Sequence, residues 1–141
     1  MKKSTKKLTL LISIGLLLSS LFSQSAFAGG LPAGTVVSNG LTWTRNNSTV
    51  ASPGKSNWSV AKSTCDNLTA GGYTDWRLPV NSELNALDKS ILKSAGWTID
   101  YNWSETPGNG GSGHYVKWLG AGGYLTTFHD DFDSVYVSCV R

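Results

Sequence analysis

The side chains best suited to bind a metal ion lie close together near the end of the chain. Three aspartates, Asp130, Asp131 and Asp133, follow His129. Carboxylate oxygens are the ligands that calcium prefers, and calcium takes about six to eight of them. The spacing matches no EF-hand loop, however, and a solvated acidic turn between two strands explains the same residues. We therefore expect no cofactor, with calcium at these three aspartates as the weaker alternative.

A second group of side chains is suited to bind a sugar. Five aromatic residues lie in a segment rich in glycine, serine and asparagine: Trp97, Tyr101, Trp103, Tyr115 and Trp118. An exposed ring can stack on the apolar face of a sugar, whereas a buried ring fills the core of a small domain. Both interpretations stay open. The five are candidate ligand-binding residues, and Trp103 and Trp118 are the leading ones.

No pattern of residues indicates catalysis. A nucleophile needs an activating base and a site for the developing negative charge. The two histidines, His114 and His129, lie in a glycine-rich and an acidic context, without a His-x-x-x-His or Gly-x-Ser-x-Gly signature. We expect both to be ordinary surface histidines. The sequence thus favours a protein that is not an enzyme.

The start of the chain predicts a cleaved secretory signal peptide at residues 1–28. Four lysines come first, an apolar run covers residues 8–22, and the small-residue site Ala26-Phe27-Ala28 follows. The run of about 15 residues is shorter than the roughly 20 that cross a bilayer. We expect a bacterial-type protein exported to the periplasm, the cell surface or the medium, with no transmembrane anchor after processing.

Loss of this segment changes the charge of the protein. The chain has 12 basic and 9 acidic side chains, and four of the basic ones but no acidic one lie in the predicted signal. Eight basic and nine acidic side chains then remain, so nucleic acid is excluded as an expected partner, because its recognition needs clustered positive charge. Residues 29–141 have the length of one domain with its own core.

The two cysteines, Cys65 and Cys139, are expected to form a disulfide. Both lie in the exported part and would meet an oxidising compartment, where a disulfide outranks metal binding or thiol catalysis. Cys65 shares an apolar helix face with Trp58, Ala61 and Leu68. Cys139 alternates with Val135 and Val137 along a predicted strand. The bridge is therefore expected to join the first helix to the last strand.

The remaining pattern predicts an α+β domain. Strands at 35–37 and 41–44 form a hairpin, and a helix capped by Ser56 or Asn57 runs to about residue 69, before Gly71-Gly72. A short second helix follows Pro79, with Asn81 as its N-cap and Leu84, Leu87 and Ile91 on one stripe. Residues 96–123 are expected to be largely irregular, crossed by a strand at 115–118. Strands at 123–128 and 134–141 end the chain.

The most distinctive string of the chain lies between the two predicted helices. It is Gly71-Gly72-Tyr73-x-Asp75-Trp76-Arg77-Leu78-Pro79. We interpret Asp75, Trp76, Arg77, Leu78 and Pro79 as a structural motif, with two apolar side chains to bury, an acid and a base able to pair, and a proline that sets the entry to the helix.

This string resembles the DUF1566 family, also called the Lcl C-terminal domain family. The resemblance continues in Leu41-Thr42-Trp43, Tyr101-x-Trp103-Ser104 and Tyr136-Val137-Ser138-Cys139-Val140-Arg141. It implies a C-type-lectin-like α+β fold with two helices, a small antiparallel sheet, long irregular loops and one disulfide. It also implies a secreted or surface setting. The formylglycine-generating enzymes share this fold, but their chemistry depends on a free cysteine pair.

The resemblance implies less about activity. The collagen-like adhesin that names the family is associated with binding sulfated glycosaminoglycans and with cell attachment. This chain has no collagen-like stalk and no net positive charge in its domain. We expect an exported, non-catalytic recognition or adhesion module that binds a carbohydrate or a surface protein. The alternative is a structural or interaction subunit of an envelope or surface assembly, and a small enzyme is the third choice.

Overall fold

A β-hairpin opens the domain, as predicted. In the computed structural model, which describes residues 30–48, 54–120 and 126–141, strand β1 (Thr35–Ser38) pairs antiparallel with β2 (Leu41–Thr44). The turn between them places Asn39 and Gly40 at φ values of 51° and 77°. A two-residue hairpin turn of this type requires a positive φ at both of its central residues. The predicted signal peptide, 1–28, lies outside the described residues.

Asn57 starts the first helix, which confirms one of the two predicted caps. Helix α1 (Trp58–Asp66) begins where the Asn57 side chain accepts a hydrogen bond from the Val60 N–H at 2.9 Å. The helix ends before the predicted residue 69, and at this end the Asn67 side chain donates to the Ser63 carbonyl at 2.8 Å. A 3₁₀ turn at Ala70–Gly72 follows.

The predicted second helix is two helices, α2 (Asn81–Ala86) and α3 (Lys89–Ser94). Leu87 leaves the helical region at ψ 126°, and the Asp88 carboxylate then accepts from the Ser90 N–H at 2.9 Å and starts α3. The sequence pattern missed this break because the apolar spacing continues across it. Buried Leu92, rather than Ile91, continues the stripe.

The cap of α2 also differs from the prediction. Val80, not Asn81, is the N-cap residue, and the Glu83 carboxylate accepts from the Val80 N–H at 2.9 Å. The Asn81 N–H instead donates to the Thr106 hydroxyl at 2.9 Å. The bond to Thr106 ties the start of α2 to the strand at residues 101–107.

Five strands form that sheet, in the order β3-β7-β4-β5-β6. They are β3 (Lys55–Ser56), β4 (Tyr101–Pro107), β5 (His114–Trp118), β6 (Thr126–His129) and β7 (Val135–Tyr136). Only β4 and β7 are parallel among these pairs; the other neighbours are antiparallel.

The expectation of an irregular segment at 96–123 is wrong over β4. Its inward polar residues, Asn102 and Ser104, are fully buried, as is Trp103 between them. A strand buried on both faces lacks the polar and apolar alternation of a half-exposed one, so the pattern gave no strand signal. The glycine-rich residues 108–113 form only the loop between β4 and β5.

The predicted last strand is regular only over β7. Residues 137–140 are all buried, and they run between the β1–β2 hairpin and the segment before α2. Val140 forms isolated bridges to both Trp43 and Arg77. The chain is thus paired on two sides here without becoming part of a longer strand.

Among the described residues, two apolar clusters make up the core. The first packs α1 against the sheet and contains Ala61, Cys65, Trp76, Leu78, Trp103, Val116, Val135, Val137 and Cys139. The second joins α2, α3 and the hairpin and contains Trp43, Leu84, Leu87, Leu92, Trp97, Leu119 and Val140. In the described part of the chain, no helix is long and apolar enough to cross a bilayer.

The disulfide between Cys65 and Cys139 is confirmed. Its sulfur atoms lie 2.07 Å apart, and both cysteines are fully buried in the first cluster. It joins α1 to the C-terminal segment beyond β7, rather than to a regular strand. The fold is therefore α+β with one disulfide across the first core.

We predict that replacing both cysteines, Cys65→Ala with Cys139→Ala, lowers the free energy of unfolding by about 4 kcal/mol. The bridge closes a loop with a sequence separation of 74, and opening it increases the entropy of the unfolded chain. Urea unfolding of the oxidised wild type and the double variant measures the effect. Val60→Ala, at an exposed position of α1, is the control. Equal urea midpoints for the double variant and the wild type would contradict the prediction.

Candidate ligand-binding face

Strand pairing separates the aromatic candidates between two faces of the sheet. Tyr101 lies opposite Trp118, and Trp103 opposite Val116, across the β4–β5 pair. Opposed residues share a face and successive residues alternate, so these four side chains lie on one face. Tyr115 belongs to the other face, opposite Phe128 of β6. The five candidates therefore do not form a single site.

Two of the predicted ligand-binding residues are buried, which corrects their role. Trp97 is 5% exposed in the second cluster, and Trp103 is 0% exposed in the first. The Trp103 indole N–H donates to the Ser56 carbonyl at 2.8 Å. Neither ring presents a face on which a sugar could stack. The candidate ligand-binding residues that keep exposed ring surface are Tyr101, Tyr115 and Trp118, which are half-buried.

Tyr101, Trp118 and His129 form a cluster that we call the aromatic patch. The Tyr101 and Trp118 ring centroids are 5.2 Å apart at an interplanar angle of 60°, and the Tyr101 and His129 centroids are 5.8 Å apart. His129 also meets the buried Trp103 ring edge-on at 6.4 Å. The patch thus rests directly on the first core.

Gly120 sets the position of the Trp118 ring. A Cβ atom at residue 120 would lie 2.3 Å from Nε1 and 2.8 Å from Cε2 of Trp118, and 3.1 Å from Ile99 Cγ2. Only a residue without a side chain allows the indole to lie this close to the backbone. One edge of the ring is therefore fixed against the chain.

An acidic side chain orients the histidine of the patch. His129 Nδ1 lies 2.8 Å from Asp133 Oδ2, and both side chains are partly exposed. The patch therefore combines aromatic surface with a carboxylate able to accept hydrogen bonds from hydroxyl groups. The sequence predicts that His129 is an ordinary surface residue. The four-residue spacing to Asp133 was the signal available for the pair.

His114 is likewise not an ordinary surface residue. Its ring stacks on Trp58 at a centroid distance of 3.6 Å and an angle of 8°, and its Nδ1 lies 2.7 Å from Asp131 Oδ1. The Trp58 N–H donates to the Asp131 carbonyl at 3.0 Å. Residue 114 thus fastens the turn at residues 130–133 to the start of α1. These contacts join segments that are distant in sequence, so no local sequence pattern predicts them.

The candidate calcium ligands point to different partners. Asp131 is directed to His114 and Asp133 to His129. Within residues 30–48, 54–120 and 126–141, no three side chains of histidine, cysteine, aspartate or glutamate are grouped to hold a metal ion. The expectation of no cofactor, with calcium at Asp130, Asp131 and Asp133 as the weaker alternative, stays a prediction; a melting temperature that is the same with calcium and with a chelator would exclude calcium.

The distinctive string holds the end of the chain. The Arg141 guanidinium lies 3.4 Å from the Tyr73 ring centroid, and its Nε lies 2.8 Å from Asp75 Oδ1. Trp76 is buried and donates its indole N–H to the Ala70 carbonyl at 3.1 Å. Cation–π and ionic contacts of this kind stabilise a packed segment. The structural interpretation of the string agrees with these contacts.

The acid and the base of the string do not pair with each other, contrary to expectation. Asp75 binds Arg141, whereas Arg77 Nη2 and Nη1 lie 2.6 and 2.8 Å from the Glu83 carboxylate oxygens. Leu78 is fully buried and Pro79 is buried. Each charge is thus paired with a residue outside the string, Asp75 with Arg141 at the end of the chain and Arg77 with Glu83 of α2.

Glu83 makes the stability of the fold sensitive to acid. Hydrogen bonds from the Arg77 guanidinium hold the pKa of the Glu83 carboxyl below its ordinary value, with burial acting in the opposite direction. A lowered pKa in the folded state means that the ionised carboxylate stabilises the fold above the unfolded-state pKa. That stabilisation is lost as the pH falls through the folded-state pKa.

We therefore predict that Glu83→Gln lowers the free energy of unfolding by about 1 kcal/mol at pH 7 and weakens its dependence on pH below 4.5, the ordinary glutamate value. Urea unfolding from pH 7 to pH 3 measures both effects. Ser82→Ala, an exposed position of the same helix, is the control. A variant with the wild-type stability and pH profile would refute the role of Glu83.

The described geometry can be compared with known proteins. No curated protein matches the chain. A family model, the Lcl C-terminal domain, matches residues 35–141, from the first residue of β1 to Arg141. The match includes both disulfide cysteines, the distinctive string and the aromatic patch. Because it covers well over half of the sequence, the chain belongs to the Lcl C-terminal domain family.

Proposed function

We propose that this chain is an exported, non-catalytic recognition module with a C-type-lectin-like fold that binds a carbohydrate through the aromatic patch. The observation that carries the proposal is the Tyr101–Trp118 pair, two half-buried rings 5.2 Å apart on one face of the sheet. Rings held on paired strands lose little freedom on binding. The family membership and the disulfide are compatible with a surface or extracellular setting.

The patch has the two kinds of group that sugar recognition needs. The Tyr101 and Trp118 rings offer apolar surface for the C–H groups of a sugar ring. The Asp133 carboxylate, bound to His129, can accept hydrogen bonds from the hydroxyl groups. Because Asp133 places negative charge beside the rings, the proposed ligand is an uncharged sugar rather than a sulfated one.

The placement of the histidines and cysteines favours binding without chemistry. In hydrolytic sites an Asp–His pair activates a serine or cysteine nucleophile. Here Cys65 and Cys139 are bonded to each other, so neither thiol is free to serve as the nucleophile of the His114–Asp131 or His129–Asp133 pair. Their rings pack against Trp58 and Tyr101. These contacts give the two histidines an orienting role.

We predict that Trp118→Ala lowers the affinity for an uncharged glycan by about tenfold, equivalent to about 1.4 kcal/mol. The residue supplies half of the aromatic surface, and its removal leaves the buried clusters intact. A glycan array, followed by titration of the best ligand, provides the measurement. Tyr115→Ala is the matched control, since Tyr115 lies on the same strand but faces the other side. No saturable binding on a broad array, or equal losses in both variants, would exclude the proposal.

We predict a similar loss for Gly120→Ala, although this variant keeps every aromatic side chain. The new methyl group would occupy the space of Trp118 Nε1 and so displace the indole from its place in the patch. Titration with the same glycan tests this expectation. Gly30→Ala is the control, because a Cβ atom there meets no neighbour within 4 Å and residue 30, like residue 120, has no positive φ. Wild-type affinity in Gly120→Ala would show that the position of Trp118 does not matter.

A further inference from the structure

Phe132 is far more exposed than the other large apolar side chains of the described residues. It is 93% exposed, whereas the next most exposed, Leu31, is 56% exposed. It lies in the turn at residues 130–133, which follows β6 directly. A phenylalanine wholly in water contributes nothing to the core, and large exposed apolar groups are typical of interaction sites.

The backbone of this turn is held in place at both ends. The Asp133 N–H donates to the Asp130 carbonyl at 2.9 Å, and the Trp58 N–H donates to the Asp131 carbonyl at 3.0 Å. The Asp131 and Asp133 carboxylates bind His114 and His129. The turn is therefore fastened to α1, β5 and β6 while the Phe132 ring stays outside. An anchor fixed in this way loses little entropy when it enters a pocket.

The charge around Phe132 defines the kind of partner that fits. Asp130, Asp131 and Asp133 surround it in sequence, and the carboxylate-bearing side chains of Asp131 and Asp133 are 40% and 51% exposed. Lysine or arginine side chains around the receiving pocket would complement this charge. An anionic lipid surface would be repelled by it.

We propose that the Phe132 turn docks on a partner protein, with the phenylalanine ring in an apolar pocket rimmed by lysine or arginine. Val60 of α1 and Phe128 of β6, which are 45% and 48% exposed, lie on two of the three elements that hold the turn. The Phe132 ring is not part of the aromatic patch, so the inference does not depend on carbohydrate binding.

Site-specific photocrosslinking tests the proposal in the exporting host. The photoreactive residue p-benzoylphenylalanine is introduced in place of Phe132 and, in a second strain, in place of Val37, an exposed residue of β1. We expect a protein adduct at position 132 that is absent at position 37. The adduct partner is identified by mass spectrometry, purified, and titrated with the wild-type protein and its variants.

The expected result is at least a tenfold weaker affinity for Phe132→Ala, with no change for Val37→Ala. Asp130→Asn is expected to slow association and to reduce its dependence on salt. Melting temperatures establish that the variants fold, since residue 132 makes no core contact.

Several results would overturn the inference. The first is an adduct yield at position 132 that does not exceed the yield at position 37. The second is an adduct to lipid or to a second copy of this chain. The third is equal affinity of the purified partner for Phe132→Ala and for the wild-type protein. Glycan titration of Phe132→Ala and partner titration of Trp118→Ala separate this inference from the carbohydrate proposal, because each variant is expected to leave the other interaction unchanged.

Discussion

The fold depends on the burial of its C-terminal segment, residues 137–140, between elements that are distant in sequence. Cys139 is bonded to Cys65 in the first cluster, and Val140 lies in the second. Backbone hydrogen bonds join this segment to the hairpin, from the Thr44 N–H to the Cys139 carbonyl, and to Arg77 in both directions with Val140. One short segment thus belongs to both cores.

This arrangement explains why the central strand carries buried polar groups. β4 lies beside β7, which leads into the C-terminal segment, and the Ser138 hydroxyl donates to the Asn102 side chain at 3.2 Å. A buried amide stabilises a fold only when it is hydrogen-bonded, and it then favours a single register. The register of β4 in turn places Tyr101 opposite Trp118. The packing of β4 beside the C-terminal segment therefore determines which rings lie together on the proposed binding face.

The two proposed surfaces meet at His129. Its ring contacts Tyr101 in the aromatic patch, and its Nδ1 binds Asp133 at the end of the Phe132 turn. A carbohydrate on the patch and a protein on the turn would thus occupy neighbouring parts of one side of the domain. Both surfaces are built on hydrogen-bonded backbone, which favours recognition by preformed groups over folding on contact.

Features that depend on near neighbours could be predicted from the sequence. The hairpin turn at Asn39 and Gly40, a helix cap at Ser56 or Asn57 and the inward direction of Cys65 follow from local geometry and periodicity, and the structure confirms them, with Asn57 as the cap. The family followed from a string of adjacent residues. The Arg77–Glu83 pair and the break between α2 and α3 are local features that residue types and spacing nevertheless did not predict, because the apolar spacing continues across the break. The burial of Trp103 and the half-buried position of Trp118 became apparent only in the folded structure. They depend on contacts between distant segments, and residue type and spacing carry no record of which segment lies opposite which.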